Sequence, residues 1–123
     1  MTLRLLMVDD NPSFLESARA LLEREGLAVS GVASTIAEAL RCEEKLKPDV
    51  VLVDISLADE SGFDLAQLLK SEARGGTSDV ILVSTHSEDD FAELITASPA
   101  KGFLSKSELS AAAIRRILGL DSA

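Results

Sequence analysis

"LRLLMVDDNPS", residues 3–13, sets a largely apolar run against two adjacent carboxylates. Leu3–Val8 reads as a strand buried on both faces. It ends on Asp9 and Asp10, whose charges repel and cannot be buried unpaired without a large cost. The rest of the chain should therefore hold groups that compensate them.

Working outward, two patterns alternate along the chain. Strand-like runs occur at Leu3–Val8, Ala28–Val32, Val50–Asp54, Val80–Ser84 and Lys101–Leu104. Between them, apolar residues recur at three- and four-residue spacing, the period of a helix. In the first such segment Phe14, Leu15, Ala18, Leu21 and Leu22 share a face, and Gly26 stops it. The second runs from about Thr35 to Leu46, before Pro48, and the third from about Gly62 to Ala73, before Gly75-Gly76. A short fourth surrounds Phe91, Leu94 and Ile95 and stops before Pro99, and the last carries Ile114, Ile117 and Leu118. Strand then helix, five times over, predicts a parallel sheet with helices on both faces. Right-handed crossovers make this a doubly wound α/β fold, five strands with five helices.

The bulk properties narrow the function. With 123 residues, a single domain spanning 1–123 can build a core without disulfides. The net charge of -9 argues against general nucleic-acid binding, which needs a basic footprint, and the Arg115-Arg116 pair does not reverse it. The lone Cys42 excludes a disulfide framework and a multi-cysteine zinc site, and it reads as packing on the second helix. No run reaches transmembrane length and the N-terminus lacks a signal-peptide plan. The expectation is a cytoplasmic protein with no membrane or direct nucleic-acid partner.

In such folds ligands sit beyond the carboxyl ends of the strands, where strand order reverses. Here strand one ends at Asp9-Asp10, strand three at Asp54, strand four at Ser84 and Thr85, and strand five is followed by Lys106. Three acids, a hydroxyl and an ammonium are thus expected in one site. Carboxylates gathered without a cation repel, and a hard divalent ion such as Mg²⁺ suits an all-oxygen donor set. A carboxylate beside a metal and a lysine can also act as a nucleophile toward phosphorus. Phosphoryl transfer needs charge neutralisation above all, which Mg²⁺, Lys106 and the Ser84 hydroxyl are able to supply.

Taken in order along almost the whole chain, these residues resemble a response-regulator receiver domain of two-component signalling. The resemblance implies a flavodoxin-like sheet of order 2-1-3-4-5. Asp9 and Asp10 match the family's metal-binding pair and Asp54 its phosphoacceptor, with Gly62 at the usual spacing beyond it. Ser84 matches the switch hydroxyl, Lys106 the lysine after strand five, and Phe103 the aromatic whose rotamer reports activation. The sequence departs from the family at three points. Ala58 and Ser107 stand where proline is frequent, which bears on the loop after Asp54 and on the peptide after Lys106. Phe103 replaces the tyrosine of many members and cannot hydrogen-bond.

What the resemblance implies is a phosphoacceptor switch, not a turnover enzyme. A sensor histidine kinase or phosphotransfer protein would donate a phosphoryl group to Asp54. Mg²⁺ would be held by Asp10 and Asp54 with the Ser56 backbone carbonyl as third ligand, and Asp9 would position the ion or its water. Ser84 and Lys106 would then turn to the phosphate, Phe103 would turn inward, and the surface of helix four, strand five and helix five would change for a downstream protein target or a phosphorylation-dependent homodimer. His86, two residues past Ser84, stands where the family tunes hydrolysis of the aspartyl phosphate. No output domain is expected within these residues, so a free-standing receiver and a piece of a DNA-binding regulator both stay open.

Blander readings exist for each residue. Asp-Asp at a strand end can simply cap the next helix, with Pro12 in its first turn. Lys106, Ser84 and Phe103, each taken alone, read as a solvated lysine, a strand-end hydroxyl and a core aromatic. The alternatives to the switch are a receiver-like binding module that works without phosphate, and a metal-dependent phosphohydrolase. The hydrolase reading lacks the usual second acid two residues past the nucleophile, a position held here by Ser56. A dinucleotide-binding fold lacks its glycine-rich turn after strand one.

Overall fold

Period-two alternation sorts the strand side chains onto two faces, and both faces are apolar, so both must be covered. The computed structural model describes residues 3–57, 59–71, 78–86 and 88–120. It contains β1 (Arg4–Val8), α1 (Pro12–Arg24), β2 (Ala28–Ala33), α2 (Ile36–Leu46), β3 (Val50–Asp54), α3 (Gly62–Leu69), β4 (Asp79–Ser84), α4 (Ala92–Ala97), β5 (Gly102–Ser105) and α5 (Ala111–Leu118). A short antiparallel ribbon, Ser56–Leu57 with Glu60–Ser61, lies between β3 and α3. The five main strands form one parallel sheet in the order β2-β1-β3-β4-β5. This is the doubly wound fold expected from the strand-helix alternation, with the flavodoxin-like order that the resemblance implies.

On one face Leu6, Val8, Val51, Val53 and Leu82 pack with Ala39 of α2 and Leu65, Ala66 and Leu69 of α3. On the other, Leu5, Met7, Val50, Leu52 and Ile81 pack with Ala18 and Leu22 of α1 and Ile114 of α5. The chain leaves β1 toward β2 on one side and returns to β3 on the other. The carboxyl ends of β1 and β3 therefore flank the switch point, which is where Asp9, Asp10 and Asp54 stand. Helix starts are fixed locally: the side chains of Asn11, Thr35, Ser61 and Ser110 accept N–H groups of Phe14, Glu38, Phe63 and Ala113.

Some boundaries differ from the sequence pattern. β5 is Gly102–Ser105, so that Ser105 pairs with Ser84 in register. The expected end of the third helix at Ala73, and the Gly75-Gly76 stop, lie outside the described residues. In the fourth segment Phe91 and Ile95 pack on the core, but Leu94 is 54% exposed. The helix there is only six residues long and buries none fully, and Leu94 lies one step off the row that Phe91 and Ile95 share.

Candidate functional site

Asp9 follows β1 directly, its N–H donating to the Ala33 carbonyl at 3.0 Å, and is 1% exposed. Asp54 closes β3 and is 6% exposed. Each carboxylate accepts the backbone N–H two residues on: Asn11 to Asp9 Oδ1 at 2.8 Å, Ser56 to Asp54 Oδ1 at 3.0 Å. These Asx turns fix both side chains and leave the second oxygen of each free to face a cation. Lys106 Nζ sits 2.6 Å from Asp9 Oδ2 and 3.0 Å from Asp54 Oδ2. Asp10 is exposed at the rim, and one carboxylate oxygen from each of Asp9, Asp10 and Asp54 lies within 4.8 Å of the others.

One ammonium is shared between the two buried carboxylates, with Asp10 close by at the rim. Burial pushes the Asp54 carboxyl above its ordinary 3.8, with the Asp9 charge adding to it, and the Ser56 N–H and Lys106 oppose the rise without cancelling it. Burial pulls the Lys106 ammonium down, but Asp9 and Asp54 outweigh it and hold the group above 10.5. For a raised lysine, the stability gained from pairing is complete below the ordinary value and lost only as pH climbs through the folded one, so it is intact at neutral pH. Buried Asp9 Oδ2 has the Lys106 ammonium as its partner. Three hard carboxylate oxygens within 4.8 Å of one another fit a small divalent cation well. In metal-free protein the Asp54 carboxyl is expected to titrate above 3.8, and added Mg²⁺ to lower its midpoint. Carbon-detected NMR of the carboxyl resonances checks both directions.

The sequence-derived residues divide into two groups. Asp9, Asp10, Asp54 and Lys106 converge. Ser84, 3% exposed at the end of β4, makes no hydrogen bond to the acids among the described residues. Its Oγ accepts the His86 N–H at 3.0 Å and lies 3.4 Å from His86 Nδ1. The exposed His86 ring stands edge-on to Phe91, centroids 5.7 Å apart. Phe103 is half-buried on β5 and packs toward the α2 and α3 face. Ser56 meets Asp54 through its N–H, with its side chain exposed. Ala58 lies outside the described residues. The Lys106–Ser107 peptide is trans and opens a short 3₁₀ turn, Lys106–Glu108, in which the Ser105 and Ser107 hydroxyls are 3.0 Å apart.

Two participants escaped the sequence reading, and a third, Gly62, was marked there only by its spacing from Asp54. The Phe14 ring lies beneath the Lys106 ammonium, 4.2 Å from Nζ to the ring centroid. Glu60, on the ribbon after Asp54, accepts the Ile36 N–H at 2.9 Å and so ties that loop to the start of α2. Gly62 has no room for a side chain because the Asp54 and Ile55 backbone passes against it.

Comparison with known proteins agrees with this arrangement. The family model described as response regulator receiver domain matches residues 5–118. The chain is 34% identical over 102 residues to the DNA-binding response regulator MtrA of Mycolicibacterium smegmatis, covering 74% of this chain and 43% of that protein. It is 25% identical over 103 residues to the DNA-binding transcriptional activator EvgA of Escherichia coli, covering 84% of this chain and 50% of the relative. The crystal structure of a two-component response regulator of the LuxR family from Aurantimonas sp. SI85-9A1 superposes with a TM-score of 0.83 at 27% identity, over 97% of this chain and 87% of that one. The chain spans half the length or less of such curated relatives. The strand-end acids, the lysine facing them, the doubly wound sheet and the family match together mean that this chain belongs to the response regulator receiver domain family.

Proposed function

We propose that the chain is a phosphoacceptor switch whose acceptor is Asp54. The observation that carries this is the Lys106 ammonium set between buried Asp9 and Asp54, both fixed by backbone N–H groups, at the sheet's switch point. Asp9, Asp10, Asp54 and the Ser56 carbonyl would hold Mg²⁺, which when bound neutralises charge on the transferring phosphoryl group. The Asp54 carboxylate attacks the phosphorus of a phosphohistidine on a sensor kinase or phosphotransfer protein. A P–O bond forms and the P–N bond breaks, its electron pair staying on the imidazole nitrogen, which then takes a proton. Lys106 follows the charge from the Asp54 oxygen to the phosphoryl oxygens, a charge-assisted contact. Ser84 exchanges its His86 N–H for a phosphoryl oxygen, and Phe103 turns into the space it leaves.

The readout is the surface of α4, β5 and α5, presented to a protein target or to a second copy. The module performing this is the single receiver domain, acting in the cytoplasm without contacting nucleic acid itself. No described helix is long and apolar enough to cross a membrane. Borohydride reduces an aspartyl phosphate to homoserine, so peptide mapping after phosphodonor treatment tests the acceptor: homoserine at 54 is expected, and homoserine at any other position would refute the assignment. The His86 contacts predict a second effect. His86→Ala is expected to change the phosphoryl half-life by about two- to fivefold, consistent with one weak polar contact; phosphate release followed over time checks it, and an unchanged half-life removes His86 from the site.

A further inference from the structure

We propose that Phe14 is a positioning residue, whose ring face holds the Lys106 ammonium between Asp9 and Asp54. Phe14 belongs by sequence to the apolar face of α1, and its ring is half-buried there with Leu15. The ring also lies under Nζ at 4.2 Å, within the range of a cation–π contact. The Lys106 side chain is only 12% exposed, so little water competes for the ammonium. Three neighbours then enclose the ammonium: two carboxylate oxygens and one ring face.

The contact closes a circuit. The Asn11 N–H holds Asp9 Oδ1, and the Asn11 side chain accepts the Phe14 N–H at 3.2 Å. Asp9 Oδ2 pairs with Lys106, and Lys106 returns to the Phe14 ring. The helix cap that orients the acid thus also sets the ring that orients the lysine. A leucine at position 14 would fill similar space without a π face. An ammonium released from the ring would sample more rotamers, and Lys has several to sample. The phosphoryl group would then meet a lysine that is present but poorly aimed.

The experiment has two arms, and only the kinetic one rests on Asp54 being the acceptor. Protons above an aromatic face are shifted upfield, so the Lys106 ε-methylene resonances are expected upfield in the wild type. They should stay there in Phe14→Tyr and return to ordinary positions in Phe14→Leu. In the kinetic arm, phosphorylation by acetyl phosphate with Mg²⁺ is expected to slow about three- to tenfold in Phe14→Leu and to recover in Phe14→Tyr. Thermal midpoints measured alongside separate this from a general loss of packing. Ordinary Lys106 shifts in the wild type, or a Phe14→Leu protein phosphorylating at the wild-type rate, would overturn the proposal. Upfield Lys106 resonances in a wild type that takes no phosphoryl group would support the ring contact and refute the phosphoacceptor reading instead.

Discussion

Gly62→Ala is expected to cost about 3 kcal/mol of stability and to cripple the site. A Cβ at this position would fall 2.1 Å from the Asp54 carbonyl oxygen, 2.7 Å from Ile55 Cα and 2.8 Å from the Asp54 carbonyl carbon. All three are backbone atoms, so no rotamer change relieves the overlap. The Gly62 N–H also donates to the Ile55 carbonyl at 2.9 Å, so moving the glycine away breaks that bond. The residue is needed for space, and the atoms it would displace are those that carry the Asp54 carboxylate. Urea unfolding should show a lower midpoint with an unchanged slope. A wild-type midpoint would mean that the loop after Asp54 is more yielding than its contacts indicate.

Lys106→Met is expected to lower the stability of metal-free protein by about 2–3 kcal/mol at neutral pH, because it leaves two buried carboxylates facing each other without their cation. Part of the loss is recovered by protonation. Without the ammonium the Asp54 carboxyl rises further above its ordinary 3.8. A carboxyl raised in the folded state penalises folding above the unfolded value, and that penalty disappears as pH falls through the folded value. The gap between variant and wild type should therefore narrow in mildly acidic solution. Millimolar Mg²⁺ should also narrow it at neutral pH, because the ion binds the folded variant more tightly where no ammonium competes for the carboxylates. Denaturant midpoints across pH, with and without Mg²⁺, check both trends. A gap that widens toward acid pH would show that Lys106 is not compensating these acids.

Most of the fold was legible because the determining signals are local. Leu5–Val8, Val50–Val53 and Val80–Val83 are buried along their length, as continuous apolar runs predict for central strands. Pro48 and Gly26 fall just past the helices they were expected to end. The site acids and Lys106 could be placed because topology alone delivers strand ends to one edge. The exposure of Leu94 was not legible, because periodicity does not carry how deeply a six-residue helix sits. The Phe14–Lys106 and Glu60–Ile36 contacts were illegible for a different reason. They depend on how α1 meets the end of β5, and the ribbon the start of α2, to within an ångström. Spacing along the chain carries no such information. Ser84 stands at the expected strand end, and its hydroxyl accepts the His86 N–H, a local contact that spacing along the chain does not show.

Intact-mass measurement of the folded protein after incubation with acetyl phosphate, with and without Mg²⁺, beside Asp54→Ala, decides whether this chain is a phosphoacceptor. A single phosphoryl adduct that requires the metal and is absent from the variant is expected. A folded protein that takes no adduct from any donor, or an adduct that persists in Asp54→Ala, would contradict that assignment and leave a binding module that works without phosphate.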